Sequence, residues 1–431
     1  MASSNKAARS SSRNRTVQYT ARDVARLRNG AAIPSGSGSG LGLFGKSLSL
    51  AQTNRLYRSE HDALAMRVFA SVLILLLLAF VSLGFMGAAG DTYTYSYRYQ
   101  VYNPIEVAGA LYEYAYNSLA QLTHLWSVHT NDWILENVPG YWAIQQRAGV
   151  VGITLLCAVL LSISGMLYQN TFKNPIAGPG MLGVGSGVSL GLMFMVYFFG
   201  ANAANMLGMR YALCYGFGAA ILLFVLLAGR KLSGRGKPFD LVTMLLVGSI
   251  VSQLLGFVVS YVTLFLMSDE DYLSFYTLSQ MLVVDTSAVS WLALGIACVV
   301  SLVPVFFLRY KFNALALAPE EARMLGLNYS GLRAVALLCG SVMILAAQVH
   351  VGMVSLVSLI VPFLARSLFG CESSRQLVGN LCIGPVLLLV CRDVTDLIPF
   401  IGDGLAIGSV ASVVMLPLFV IVMARQMRGW E

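Results

Sequence analysis

SGMLYQNTFKNPIAGPGMLGVGSG, residues 164–187, decides how the rest of this chain is read. One apolar run closes at Gln169 and another opens at Pro179. Between them stand polar Gln169, Asn170 and Asn174, the pair Asn174-Pro175, and then Pro179-Gly180 followed by small residues. Proline has no N–H for a helix ladder and pushes the residue before it out of the helical region. Broken backbone at membrane depth is tolerated only where protein or a water-filled cavity surrounds it. The segment is either a plain tight turn between two spans or a constriction in a pathway.

Outward from it, the chain has the composition of a membrane protein. Of 431 residues, 57% are hydrophobic and only 11% charged, and mean hydropathy is +0.72. A soluble domain carries about 25% charged residues, so a water-facing surface could not be covered. Crossing the hydrocarbon takes about 20 apolar residues. Ten stretches qualify: 67–89, 149–169, 179–200, 211–229, 240–267, 288–308, 332–349, 351–368, 377–397 and 404–423. His350 alone separates the seventh from the eighth, and together they are too long for one span. The fold class expected is an all-α integral membrane protein of ten transmembrane helices.

The net charge of +8 reports topology rather than a nucleic-acid partner. Eleven of the 28 Lys and Arg precede the first span or sit at its start, through Arg67. Thirteen more fall at alternate ends of the spans, including Lys173, Arg230, Lys231, Arg309, Arg323, Arg333 and Arg366. Only Arg98, Arg147, Arg210 and Arg392 lie elsewhere. Cytoplasmic loops collect Lys and Arg, so both termini are expected inside.

Residues 1–65 are rich in Ser, Arg, Ala and Gly and read as a disordered basic cytoplasmic tail. Residues 66–430 form the helical domain. Its first outer segment, 90–146, carries Tyr93, Tyr95, Tyr97 and Tyr99 at period two, which suits a strand or an aromatic layer at the headgroups. A second, 268–287, holds Asp269, Glu270, Asp271 and Asp285 and is expected to contain a short helix. None of the seven cysteines lies in these outer segments, so no disulfide framework is expected.

Two patterns imitate nucleotide sites. GLGLFGKS, residues 40–47, matches a phosphate-binding loop, but that loop needs a strand before it and a helix after it. Here a Gly/Ser linker precedes it, and a flexible tail is the better reading. GVGSG, residues 183–187, with Gly191 suggests a dinucleotide fingerprint, yet small residues in a span serve close helix packing. No His or Cys pair has zinc-ligand spacing. His124 and His129 are conceivable haem ligands with no partner motif beside them. Arg392 and Asp396, four apart with Asp393 alongside, either pair to stabilise packing or touch a ligand.

The opening stretch closely resembles the signature of the permease subunits of bacterial cobalamin, haem and iron-siderophore ABC importers. That signature typically reads G-x-x-x-Q, then N-P-L-A-x-P-x-x-L-G-x-x-x-G. Gly165, Gln169, Asn174, Pro175, Ala177, Pro179, Leu182, Gly183 and Gly187 match it, and Ile176 replaces a Leu. A second stretch, NALALAPEEARMLGL at 313–327, resembles the family's cytoplasmic loop between its sixth and seventh spans. Read physically, it is a short amphipathic helix with an acidic start, or else a solvated connector.

The resemblance, which covers about 66–428, implies a transport subunit that is not an enzyme and holds no metal or cofactor of its own. ATP-Mg would bind in separate ATPase subunits, received by the coupling loop 309–330. The residues implied are Asn313, Ala314, Leu315, Ala316, Leu317, Glu320, Glu321, Ala322, Arg323, Leu325 and Gly326. Of these, Ala314, Leu315 and Leu325, with Ala318, are expected to form the face that the ATPase covers. A gate is implied at Gln169, Asn174, Pro175 and Ile176, and docking of an external substrate-binding protein at Arg98 and Arg147. A second permease subunit, membrane lipid and the cell membrane of a prokaryote complete the setting. Cargo would be a ferric siderophore, haem or a cobalamin.

Some positions depart from the family: Pro362-Phe363 stands for Pro-His, Asp403-Gly-Leu-Ala-Ile-Gly for acidic-Leu-Pro-Ile-Gly, and Ile144-Gln-Gln-Arg147 for Arg-Leu-Pro-Arg. They bear on substrate and docking, not on architecture. A secondary transporter also uses broken helices, but it needs ionisable relays in several spans. A membrane enzyme needs convergent His, Asp or Glu, and only four His exist.

Overall fold

The computed structural model of the chain describes residues 50–85, 141–233, 241–279, 286–352, 354–397 and 407–428. Every regular element among them is helical. In order these are α1 (Leu50–Phe85), α2 (Tyr141–Phe172), α3 (Val184–Phe199), α4 (Leu207–Leu232), α5 (Leu241–Phe265) and α6 (Asp269–Ser279). Then follow α7 (Ala288–Leu308), α8 (Pro319–Met324), α9 (Tyr329–Val351), α10 (Ser355–Phe369), α11 (Ser373–Leu397) and α12 (Ile407–Arg428). Short 3-10 turns occupy Pro179–Leu182, Gly200–Asn205 and Lys311–Ala316.

Seven segments are long and apolar enough to cross a membrane: Ala63–Leu83, Ala148–Phe172, Leu207–Leu232, Thr243–Phe265, Ala288–Leu308, Tyr329–Val351 and Ser373–Thr395. Val184–Phe199, Leu356–Phe369 and Gly408–Ile421 are apolar but shorter. The chain divides within α1 at Arg67–Val68, and the elements described below belong to the second unit.

Several boundaries differ from the sequence reading. The run 179–200 is α-helical only from Val184, because Pro179–Leu182 winds as a 3-10 turn ending at Gly183 with φ 75°. The seventh and eighth stretches are two helices rather than one bent one, parted at Gly352, whose φ of 80° and ψ of −162° no helix accommodates. α2 begins at Tyr141, so the end of the segment 90–146 is helical rather than loop. The short helix expected in 268–287 is α6. The pattern at 40–47, the tyrosines from Tyr93 to Tyr116, His124, His129, Arg98 and Asp403 lie outside the described residues, as do the side chains of Arg147 and Asp396.

α2 and α9 form the centre. In their apolar windows 72% and 78% of residues are buried, against 17% for α5 and 22% for α7. α2 packs on α9, α10 and α11, while α3 lies along α4. Glycine permits the second pairing, because a Cβ on Gly191 would come within 2.6 Å of the Leu213 carbonyl oxygen. On α5 the exposed side chains Leu246, Ile250, Leu254, Phe257, Tyr261 and Leu264 recur every three or four residues. Such a stripe is suited to lipid or to another apolar partner, not to water.

Candidate functional site

The last three turns of α2 carry a ladder of polar side chains that would be costly in lipid. Those at Ser162, Ser164, Tyr168 and Gln169 find partners on three other helices. Ser162 Oγ donates to the Asn380 carbonyl of α11 (3.2 Å). Ser164 Oγ donates to the Gly340 carbonyl of α9 (2.6 Å), and Tyr168 hydrogen-bonds the Ser341 hydroxyl. Gln169 Nε2 donates to the Leu359 carbonyl of α10 (2.8 Å). Gly165 lies one turn earlier on the same face, and a Cβ there would sit 1.5 Å from the Ser358 carbonyl oxygen. The matched G-x-x-x-Q is thus a helix clasp: glycine admits the α10 backbone and glutamine fastens it. Gln169, expected at a gate, is 1% exposed and works inside the packing.

The helix then stops abruptly. Lys173 takes φ 52°, the left-handed region that side chains other than glycine's disfavour. Asn174 N–H reaches back to the Gln169 carbonyl (3.2 Å), the closing bond of a Schellman motif. Asn174 Oδ1 accepts from Ile176 N–H (3.0 Å), and the Asn174 carbonyl accepts from Ala177 N–H (3.1 Å). These bonds hold Pro175 and Ile176 as a fixed turn, with Ile176 46% exposed. Beside it, Asn170 Nδ2 donates to Gln376 Oε1 (3.0 Å) and Asn170 Oδ1 accepts from Arg366 (3.1 Å). The Arg333 guanidinium lies over the Phe172 ring at 5.5 Å.

The second sequence-marked segment meets this turn. Lys173 Nζ donates to the Leu317 carbonyl (2.6 Å), joining the end of α2 to the loop 309–330. That loop is not one amphipathic helix. Its first part is the 3-10 turn Lys311–Ala316, the chain is extended at Leu317 (φ −77°, ψ 162°), and α8 follows. Glu321 Oε2 accepts from Ala318 N–H (3.3 Å), while Glu320 and Glu321 fill the first turn of α8, where carboxylates suit the dipole. Gly326 at φ 73° ends it, with Leu327 N–H returning to the Ala322 carbonyl (3.1 Å). Asn313 Oδ1 accepts from Ser373 N–H at the start of α11 (2.7 Å).

Burial within this loop corrects the face expected to be open to a partner. Leu315 is 0% exposed and Ala314 5%, both packed in the main core with Phe312 and Ala322. The exposed face is instead Ala316, Ala318, Pro319, Glu320, Glu321, Arg323, Met324 and Leu325, with Met324 81% and Leu325 52% accessible. Met324 was not among the residues marked from sequence. Nor was Lys173, whose role as a tie has no signal in the sequence beyond its charge. Among the described residues no group of three or more His, Cys, Asp or Glu is arranged to hold a metal.

Comparison with known proteins agrees with this architecture. The family model described as the FecCD transport family matches residues 111–425. The hemin transport system permease protein HmuU of Yersinia pestis is 26% identical over 307 residues, 70% of this chain and 87% of that protein. The vitamin B12 import system permease protein BtuC of Salmonella paratyphi A is 28% identical over 276 residues, 64% and 81% of the two chains. The ferric enterobactin transport system permease protein FepD of Escherichia coli is 27% identical over 282 residues, 64% and 79%. A solved metal-chelate type ABC transporter in an inward-facing conformation superposes with TM-score 0.61 at 20% identity, over 84% of this chain and 99% of the other. At that identity the likeness speaks for the fold.

Proposed function

This chain belongs to the FecCD transport family, and from that premise we propose that it is the transmembrane permease subunit of an ATP-driven importer for a metal chelate. The relatives are named for hemin, vitamin B12 and ferric enterobactin, so the cargo class is a haem, a cobalamin or a ferric siderophore. The chain is a transport subunit and not an enzyme. ATP-Mg is bound and hydrolysed in partner ATPase subunits. Two permease subunits, alike or different, enclose the path at their interface, and an external binding protein delivers cargo at the end bearing Arg98 and Arg147.

The seven long spans and three shorter apolar helices together supply ten crossings of a prokaryotic cell membrane. With the Lys and Arg of one side taken as cytoplasmic, both termini are inside, and residues 1–65 are a cytoplasmic tail outside the helical domain 66–430. On that topology the loop 309–330 and the turn Asn174–Ile176 share the cytoplasmic end.

One observation carries the mechanism: the Lys173–Leu317 bond links the loop 309–330 to the turn that ends α2. An ATPase holding α8 by Met324 and Leu325 pulls on Leu317, and the pull is delivered to Lys173, Asn174 and Ile176. The clasp of Gly165 and Gln169 passes it to α10. Opening and closing therefore need no catalytic group in this chain. The experiment is reconstitution in proteoliposomes with the cognate ATPase and binding protein. Chelate uptake that requires ATP and all three components is expected; uptake driven by an ion gradient without the ATPase would refute the reading.

A further inference from the structure

α9 ends in a break, and one turn before it sits a side-chain amide whose oxygen has no partner among the described residues. Gly352 N–H makes the last helical bond to the Gln348 carbonyl (3.1 Å), and Val354 N–H turns back to the Gly352 carbonyl (3.0 Å). The Gln348 side chain is 4% exposed and lies against α3, where a Cβ on Gly185 would come within 3.1 Å of Nε2. Its Oε1 is buried and has no hydrogen-bond partner among the described residues. A buried amide in that condition loses its hydration without replacement.

Beside the amide is a cavity of about 10 Å³, lined by Gly185 and Ser189 of α3, Cys214 of α4, Ser279 of α6, and Gln348 and Gly352. That volume is about what the centre of one water sweeps, and a buried water needs two to four polar partners. Three of the described lining residues carry such groups: Gln348, Ser189 and Ser279. Ser279 Oγ already donates to the Tyr276 carbonyl (3.0 Å), which leaves its lone pairs to accept. No carboxylate is among the described residues that line the cavity.

We propose that this cavity binds a single water molecule, which donates to Gln348 Oε1 and Ser279 Oγ and accepts from Ser189 Oγ. The water joins the last turn of α9 to α3 and α6, and so fixes the point from which the chain departs toward α10. The alternative, a dry cavity, makes the amide a pure liability. The two cases differ in sign.

The test is the apparent melting temperature of the full-length chain in detergent. Gln348→Met keeps length and volume but removes the amide. With water bound, the substitution strips it of a partner and should lower the melting temperature by about 1–3 °C. In a dry cavity, it removes an unsatisfied group and should raise it. Ser189→Ala should also lower it, and the double variant should fall by less than the sum, because both act through one molecule. A rise with Gln348→Met, or additive losses, would overturn the proposal. Stabilisation by sodium chloride over choline chloride at equal ionic strength would overturn it too, in favour of a cation. If Gln348→Met is not recovered folded, the sign of Ser189→Ala alone decides. No cargo or ATPase enters the measurement, so its failure is distinct from failure of the transport reading.

Discussion

Replacing Met324 and Leu325 together by serine should release the ATPase while leaving the permease folded. Both residues end α8, 81% and 52% exposed respectively. Burying a whole Met or Leu side chain contributes about 1.5–3 kcal/mol. Scaled by the area still open, Met324 can supply about 2 kcal/mol and Leu325 about 1, or about 3 together. Each 1.4 kcal/mol is about tenfold in affinity, so association should weaken about a hundredfold. Surface changes of this kind shift folding stability by about 0.5 kcal/mol or less. Leu315→Asp is the contrasting control, because Leu315 is fully buried. A carboxylate there meets the permease's own core, and lost binding would report damaged folding instead of a missing contact. The assay is titration of purified ATPase onto detergent-solubilised permease, with the melting temperature followed in parallel. A Kd within threefold of wild type for the double serine variant, with transport intact, would refute the assignment of α8 as the docking element.

Gly165→Ala should push α10 off α2, since the new methyl would lie 1.5 Å from a backbone oxygen; a cost of about 1–3 kcal/mol or more is expected, and an unchanged melting temperature would count against the clasp. Lys173→Met keeps the chain length but removes the donor to Leu317, so ATPase binding should survive while cargo moved per ATP falls severalfold in proteoliposomes. An unchanged ratio would reject the tie. Lys46→Ala should leave uptake and ATP hydrolysis as they are, and a tenfold drop in either would reveal a nucleotide site at 40–47. In a cysteine-free background, Glu270→Cys should react with an impermeant reagent from outside, and Ser233→Cys only after permeabilisation.

What was legible in the sequence was what composition and punctuation dictate. Low charge and long apolar runs gave the helical membrane class, and the close of the apolar run at Gln169 fell three residues short of the end of α2 at Phe172. The loop 309–330 was marked from sequence, but which of its residues face inward was misread, for a geometric reason. An α-helix through 313–327 would group Ala314, Leu315 and Ala318, whereas a 3-10 turn of three residues puts Phe312 and Leu315 on one side. The extended residue Leu317 then resets the phase before α8. Lys173 was counted only as a topological charge, because a tie to a backbone carbonyl 144 residues away leaves no local pattern. The division of 332–368 into two helices followed from its length, whereas the conformation of Gly352 that makes the break left no mark in the polarity pattern.

The ladder on α2 has a consequence for how this protein can change. Ser162, Ser164, Gln169 and Lys173 reach four different elements, and every one of these bonds ends on a main-chain carbonyl. A main-chain acceptor survives any side-chain replacement that keeps the local path. For these four bonds the neighbours need supply only a course for the backbone, whereas Tyr168 with Ser341, and Asn170 with Gln376 and Arg366, need the partner side chains as well. A loop of the same trace from a distant homologue, grafted over 311–327, should be gripped by Lys173 as firmly as the native one. The surface shown to the ATPase is thus free to follow its partner through evolution or design, without renegotiating its attachment to the membrane domain.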